Sequence, residues 1–274
     1  MDDFLGRSAS PLDEEFWSAL DRTVVETAKG LLTARRFLPL CGPLGAGVQV
    51  VPVDRPVRTE RTEDGFTFAE GRTYVELPQL TEDFWILWRD VEAAKREGLP
   101  LDLHAAHMAA QALCRREDRM VFYGVKRLGV EGLLSVGGTN VLDRGDWSAG
   151  ESSFTDIAAG MAVLQQKGRI GRITLVLSQD LFVQLHRIQP GTGLTEIERV
   201  RSLLEGRLFQ TPVLQPGTAL LLCPQPQYMD LVVGQDIRTA YAEQLDLNHR
   251  FRILETACPR IKSPDAVVVY RSAQ

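Results

Sequence analysis

Residues 48–77 read VQVVPVDRPVRTERTEDGFTFAEGRTYVEL. β-branched, charged and apolar residues alternate on both sides of the turn sequence Glu63-Asp64-Gly65, so the stretch to about Leu80 is predicted as one long exposed hairpin. It holds too few apolar residues to build a core of its own. A ribbon of that length left unpaired would flap or aggregate, which makes pairing with another subunit the better expectation. The hairpin therefore predicts a chain built for assembly.

On its N-terminal side lies CGPLGAG at 41–47, a turn-rich joint. Before the joint, Ser10-Pro11-Leu12-Asp13 has the hydroxyl-to-carboxylate spacing of a helix start, with proline at the first helical position. The stripe Trp17, Leu20, Val24, Ala28, Leu31 then advances in steps of three and four. It predicts an amphipathic helix ending near Ala34, with Asp21, Arg22, Glu26 and Lys29 on the opposite face.

On the C-terminal side, residues 81–97 carry Phe84, Trp85, Trp88 and Val91 and read as a helix stopped by Gly98-Leu99-Pro100. Asp102 then caps a longer helix to about Lys126, with Leu103, Ala106, Ala109, Leu113 and Met120 along one side. At 1.5 Å per residue this is a spine of roughly 37 Å.

From 134 to 225 short helices alternate with buried strands. Ile157, Met161 and Leu164 mark a helix, RITLVLS at 172–178 a strand, and DLFVQLHRI another helix. Thr195-Glu196-Ile197-Glu198 is a capping box for a helix that Gly206 closes. This predicts a compact α/β domain. The strand-like YMDLVVGQD, HRFRILETA and DAVVVY that follow lack helical partners and are expected to return to the spine-helix domain.

Hydrophobic residues make 44% of the 274-residue chain and charged residues 24%, ordinary globular composition. The apolar runs fall far below the about 18 residues needed to cross a bilayer, so no membrane partner is expected. Lys plus Arg number 31 against 36 Asp plus Glu, a net charge of −5, which disfavours nucleic acid. Cys41, Cys114, Cys223 and Cys258 are scattered without a C-x-x-C spacing, and MDDFLGRSAS offers no apolar signal region, so a reducing cytoplasm is the expected home.

Signatures of catalysis are mostly missing. No G-x-S-x-G elbow, phosphate-binding loop or G-x-G-x-x-G fingerprint is present. His104 and His107, three apart beside Asp102, could share a helix face for a metal, though no third ligand is near in sequence. His186 and His249 read as structural, and Asp143 with Asp146 reads as a turn. Cys41 has no cationic neighbour in sequence to activate it. Trp85 and Trp88 could stack a planar ligand, although paired aromatics on a helix are usually core.

In order along almost the whole chain, FLGRSASPLDEEFW (4–17), ARRFLPLCGPLGAG (34–47), FWILWRDVEAA (84–94), EDRMVFYG (117–124), GVEGLL (129–134), VVGQDIRTAY, LETA and SPDAVV resemble the encapsulins. These are the linocin-like shell proteins of bacterial and archaeal nanocompartments, and the resemblance is nearest to the myxobacterial type. It implies an α+β fold of the tailed-phage major capsid (Hong Kong phage) type. An N-terminal helical arm would span 1–44, an extended loop 45–82, a peripheral domain with the spine helix 83–133 and 226–274, and an axial α/β domain 134–225. A prophage coat protein is the nearest rival. Some such coats cross-link through a loop lysine, and residues 45–82 contain none.

The resemblance further implies a shell subunit without catalytic activity, closing an icosahedral homo-oligomer around a cargo protein bound by its docking peptide. The cargo expected is ferritin-like, for iron oxidation and storage, or else a dye-decolourising peroxidase. The cargo groove falls to Leu32, Arg35, Leu38, Leu231, Val233 and Ile237, with Arg35 holding a carbonyl or terminal carboxylate of the peptide. A five-fold pore falls to Gln189, Pro190, Gly191, Thr192 and Gly193 after Ile188. No cofactor is required, but Trp85 or Trp88 matches the segment where some relatives bind a flavin. A metal-dependent soluble enzyme using Asp102, His104 and His107 is the remaining alternative.

Overall fold

The computed structural model describes residues 3–53, 60–69, 73–189 and 193–272. The first helix, α1 (Glu14–Leu31), starts three residues later than Ser10 implies. Asp13 caps it, Oδ1 accepting from the Phe16 amide at 2.9 Å, while Ser10 Oγ accepts only from Leu12 within the preceding turn. After the short β1 (Leu40–Cys41), the extended loop is two ribbons in series. β2 (Val50–Val53) pairs with β5 at the root, and β3 (Glu60–Glu63) pairs with β4 (Phe66–Ala69) at the tip, β5 being Thr73–Glu76.

Where a helix is predicted from residue 81, the chain instead makes β6 (Gln79–Ile86), and only then α2 (Trp88–Glu97). FWILW fits either period. The strand wins because Phe84 and Ile86 point into the core while Asp83 and Trp85 point out, an alternation of two that matches the pleat of a neighbouring strand. The spine helix α3 (His104–Tyr123) follows, Asp102 accepting from the His104 amide at 2.8 Å.

The remaining elements are β7 (Asn140–Arg144), α4 (Ser152–Gln166), β8 (Thr174–Leu177), α5 (Gln179–Gln184), α6 (Glu196–Leu203), β9 (Leu208–Gln210), β10 (Ala219–Leu222), β11 (Met229–Val233), β12 (Arg238–Leu245), β13 (Asn248–Ile261) and β14 (Val267–Ser272). The first sheet has the order β1-β11-β13-β12, with β6 also on β13. The second has the order β7-β14-β10-β8-β9.

That second order corrects the expected domain boundary. Residues 267–272 do not join the first sheet: Val267–Tyr270 pair with Leu222–Ala219 at the centre of the second sheet. Both runs are apolar at every position, and such strands are stable only where both faces are covered. One face, with Val176, Leu220, Leu222 and Val269, joins the core shared with α3 and the first sheet. The other, with Leu175, Leu177, Leu221, Val268 and Tyr270, packs against Trp147 and helices α4 and α6. Fit there is close. A Cβ on Gly160 would lie 2.0 Å from the Tyr270 hydroxyl.

Helix α1 lies across the first sheet and α3. Trp17 and Phe16 set their rings 5.6 and 5.5 Å from Phe251 of β13, and Thr27 Oγ1 meets His107 Nδ1 at 2.8 Å. The joint after α1 passes under β11, where a Cβ on Gly42 would fall 2.1 Å from the Val233 carbonyl oxygen. Only glycine fits that approach.

Candidate docking groove and assembly surfaces

Helix α1 ends where Asp118 of α3 accepts hydrogen bonds from the Thr33 amide at 3.0 Å and the Ala34 amide at 2.9 Å. One carboxylate thus satisfies two backbone donors at the start of the short turn Ala34–Arg36 that follows the helix. Burial pushes Asp118 up to about 6, against the pull of those amides. The pinned joint then delivers Arg35 into a charged cluster drawn from three further elements.

Arg35 Nε donates to both Glu117 oxygens at 2.9 and 3.0 Å, Nη1 to Asp236 at 2.7 Å, and Nη2 to Glu255 at 2.6 Å. The side chains of Glu117 and Glu255 are fully buried, and that of Arg35 is 14% exposed. Burial works against the guanidinium charge, but Glu117, Glu255 and Asp236 outweigh it and hold Arg35 above its ordinary value. Burial and then the Glu117 charge push Glu255 well above the usual carboxylate range. Asp236, despite partial desolvation, is held below that range by Arg35. Cys114 beside them is pushed up to about 12, first by burial and then by Glu117, so it is an inert thiol.

Above the cluster lies a cavity of about 340 Å³ lined by Val25, Ala28, Lys29, Leu32, Arg36 and Ile237 together with Arg35 and Asp236. Of the predicted groove residues, Leu32, Arg35 and Ile237 meet here. Leu38, Leu231 and Val233 do not: all three are buried in the main core, the last two on a β11 that is flanked by β1 and β13. Arg35 also differs from expectation, since its donors are already taken by the chain's own carboxylates. Glu117, Asp118, Asp236 and Glu255 were missed. A signal existed, because Glu117 and Asp118 interrupt the apolar stripe Leu113, Met120, Val121 of the spine helix.

Among the described residues, the extended loop is anchored only at its root. Val51 and Leu77 enter the core, and Arg260, held by Asp230 at 2.9 and 2.7 Å, donates from Nη1 to the Pro52 carbonyl at 3.2 Å. At the tip every described side chain is exposed, Phe66 by 74%.

Beside the segment expected to line a pore, Ile188 bridges Thr195 and the Gln189 amide donates to the Leu194 carbonyl at 2.8 Å. Gln189 itself is buried, its amide reaching back towards Glu151 at 3.5 Å rather than outward. Gly193 is exposed with φ of 71°. Pro190, Gly191 and Thr192 lie outside the described residues. The capping box at Thr195 is present, Glu198 accepting from both the Thr195 amide and hydroxyl at 2.8 and 2.6 Å.

Trp85 and Trp88 are not core. They are 40% and 37% exposed, on β6 and at the start of α2, and Arg250 lies 5.9 Å from the Trp85 ring. His104 and His107 sit exposed on α3 with ring centroids 6.5 Å apart. Among the described residues no three His, Cys, Asp or Glu side chains gather to hold a metal ion. His249 is buried against the Tyr241 hydroxyl at 3.1 Å, and Asp146 accepts from Ser148 within its turn. No helix among the described residues is long and apolar enough to cross a membrane.

The two packed sheets, the spine helix and the outward loop form the tailed-phage capsid fold. Solved structures of the same fold include a virus-like particle from Pyrococcus furiosus (TM-score 0.74, 21% identity, 94% of this chain and 100% of that one) and the capsid of Myoviridae phage XM1 (TM-score 0.66, 12% identity, 88% and 92%). Residues 1–258 match the family described as encapsulating protein for peroxidase. The type 1 encapsulin shell protein EncA of Myxococcus xanthus is 38% identical over 281 aligned positions, 100% of this chain and 98% of that one. A ferritin-like–encapsulin shell fusion protein of Pyrococcus furiosus is 22% identical, covering 76% of this chain and 56% of its own. The chain belongs to the encapsulin shell protein family. It is a structural subunit of an icosahedral protein shell, not a catalyst.

Proposed function

We propose that this shell encloses a ferritin-like protein that oxidises and stores iron, and that the cargo is held by a peptide tail in the groove between α1 and the β11–β12 turn. The observation that carries the docking site is the groove itself. Apolar walls from Val25, Ala28, Leu32 and Ile237 stand beside exposed polar groups on Lys29, Arg36 and Asp236, the mix that takes an extended peptide with a few aliphatic anchors. The resemblance to shell proteins whose cargo is ferritin-like, and a relative named as a ferritin-like fusion, support the cargo class. The family description names a peroxidase instead, which makes a dye-decolourising peroxidase the second reading. The compartment would lie in the cytoplasm, with small solutes passing at the axial tips near Gly193.

Co-expression of the shell with each cargo type, followed by cryo-electron microscopy, decides between them. Peptide density along Leu32 and Ile237 with only the ferritin-like cargo is the expected result. Density with only the peroxidase reverses the cargo assignment, and density elsewhere on the inner wall removes the groove. Trp85 and Arg250 offer a stacking face and a cation that fit a flavin ring and its phosphate, and a flavin there would supply electron transfer. Absence of flavin absorbance in purified shells, with or without added flavin mononucleotide, rejects that cofactor.

A further inference from the structure

Arg35 reaches three carboxylates that are 82, 201 and 220 residues away in sequence, so a single side chain ties the α1 joint to α3, to the β11–β12 turn and to β13. Two of those partners, Glu117 and Glu255, are fully buried. The third, Asp236, is 56% exposed and forms the rim of the groove. Asp236 Oδ1 accepts from Arg35 Nη1 at 2.7 Å and also from the Ile237 amide at 2.9 Å. The chain of contacts therefore runs from the core through Arg35 and Asp236 to the backbone of Ile237. Ile237 in turn packs against Ala28 and Leu32 of the opposite wall.

Resting on the docking reading above, we propose that Arg35 and Asp236 are positioning residues: together they hold Ile237 against α1 so that the groove is formed before a tail arrives, and neither needs to touch the tail. A tail docking in a preformed groove does not spend binding free energy on ordering its wall. This reassigns Arg35 from reading the peptide to building its site. A lysine cannot replace it, because one ammonium cannot reach three carboxylates in a planar fork.

The test uses assembled shells of the full chain and, as probe, a fluorescein-labelled peptide with three aliphatic side chains spaced by glycine and serine. Asp236→Ala removes the acceptor for both Arg35 and Ile237, whereas Asp236→Asn keeps one oxygen that can accept from both. Asp236→Ala is expected to weaken probe binding about tenfold, the worth of one charge-assisted hydrogen bond, and Asp236→Asn to restore most of it. In the same shells the Ile237 amide should exchange its hydrogen about tenfold faster in Asp236→Ala. Arg35→Lys should follow Asp236→Ala in both measurements if its shells form, and the exposed Asp236 carries the test if they do not. Equal probe affinity in wild type and Asp236→Ala overturns the positioning role. An unchanged Ile237 exchange rate overturns the strut itself. Failure of wild-type shells to bind the probe overturns the docking reading, while the exchange rates still judge the strut.

Discussion

The second sheet and the tip of the extended loop are opposite solutions in one chain. Strands β8, β10 and β14 are buried at nearly every position, with Tyr270, Trp147 and Gly160 fitted to one another. Strands β3 and β4 pair only with each other, and their described side chains face solvent. The sheet finds every partner it needs within its own chain. The loop tip has backbone pairing but, among its described residues, no core of its own, and a neighbouring subunit in the shell is expected to cover it. Local apolar density thus separates the part of the chain that buries itself from the part left at the surface.

The comparison breaks if the tip supports the fold of the monomer. Replacing 60–69 by a short glycine-serine turn is expected to abolish particles in size exclusion and electron microscopy, while the melting temperature of the remaining body stays within about 5 °C. A body that unfolds on losing the tip would show that the loop is part of the core. The opposite end of the comparison is Leu221, fully buried on the helix-covered face of the second sheet. Leu221→Ala should cost about 2–5 kcal/mol in denaturant unfolding.

Between the extremes lies the α1 joint, where a buried polar group does the fixing. Asp118 has an ordinary value of 3.8 and is raised to about 6 by burial, so folding favours its neutral form. Its contribution to stability is complete below the unfolded value and is lost as pH rises through the folded one. Asp118→Asn does not titrate. Its stability relative to wild type should therefore improve between about pH 4 and about pH 7, by about 1.4 kcal/mol for each unit of displacement. A constant difference across that range would remove the burial argument. The smallest effect is expected at the axial tip, where Thr195→Ala removes one half of the capping box. It should cost about 1 kcal/mol by thermal unfolding, with shells still closing.

Much of the fold was legible because it is written in local periods. The stripe from Trp17 to Ala28, the capping box at Thr195 and the turn at Asp64-Gly65 each appear where predicted, and the spine helix appears with Leu103 rather than Asp102 at its N-cap and an end at Tyr123 rather than near Lys126. The docking groove was legible only in part. Leu32 and Ile237 line it, while Leu38, Leu231 and Val233 belong to the main core, because apolar residues of a wall and of a core look alike in sequence. Trp85 and Trp88 erred in the other direction: their spacing suggests a buried pair, and both are exposed.

By itself the amino-acid sequence determined the family, the helices with clear stripes and caps, the exposed hairpin, and the apolar runs that had to be buried. These depend on neighbours within a few residues, where the chain's own geometry sets the spacing. Tertiary structure alone decided that FWILW is strand rather than helix, that Val267–Tyr270 sits centrally in the second sheet, and that Arg35 is spent on Glu117, Asp236 and Glu255. Each of those outcomes depends on which distant segment lies alongside, and burial of paired charges or of both faces of a strand is settled only once the sheets and helices are packed.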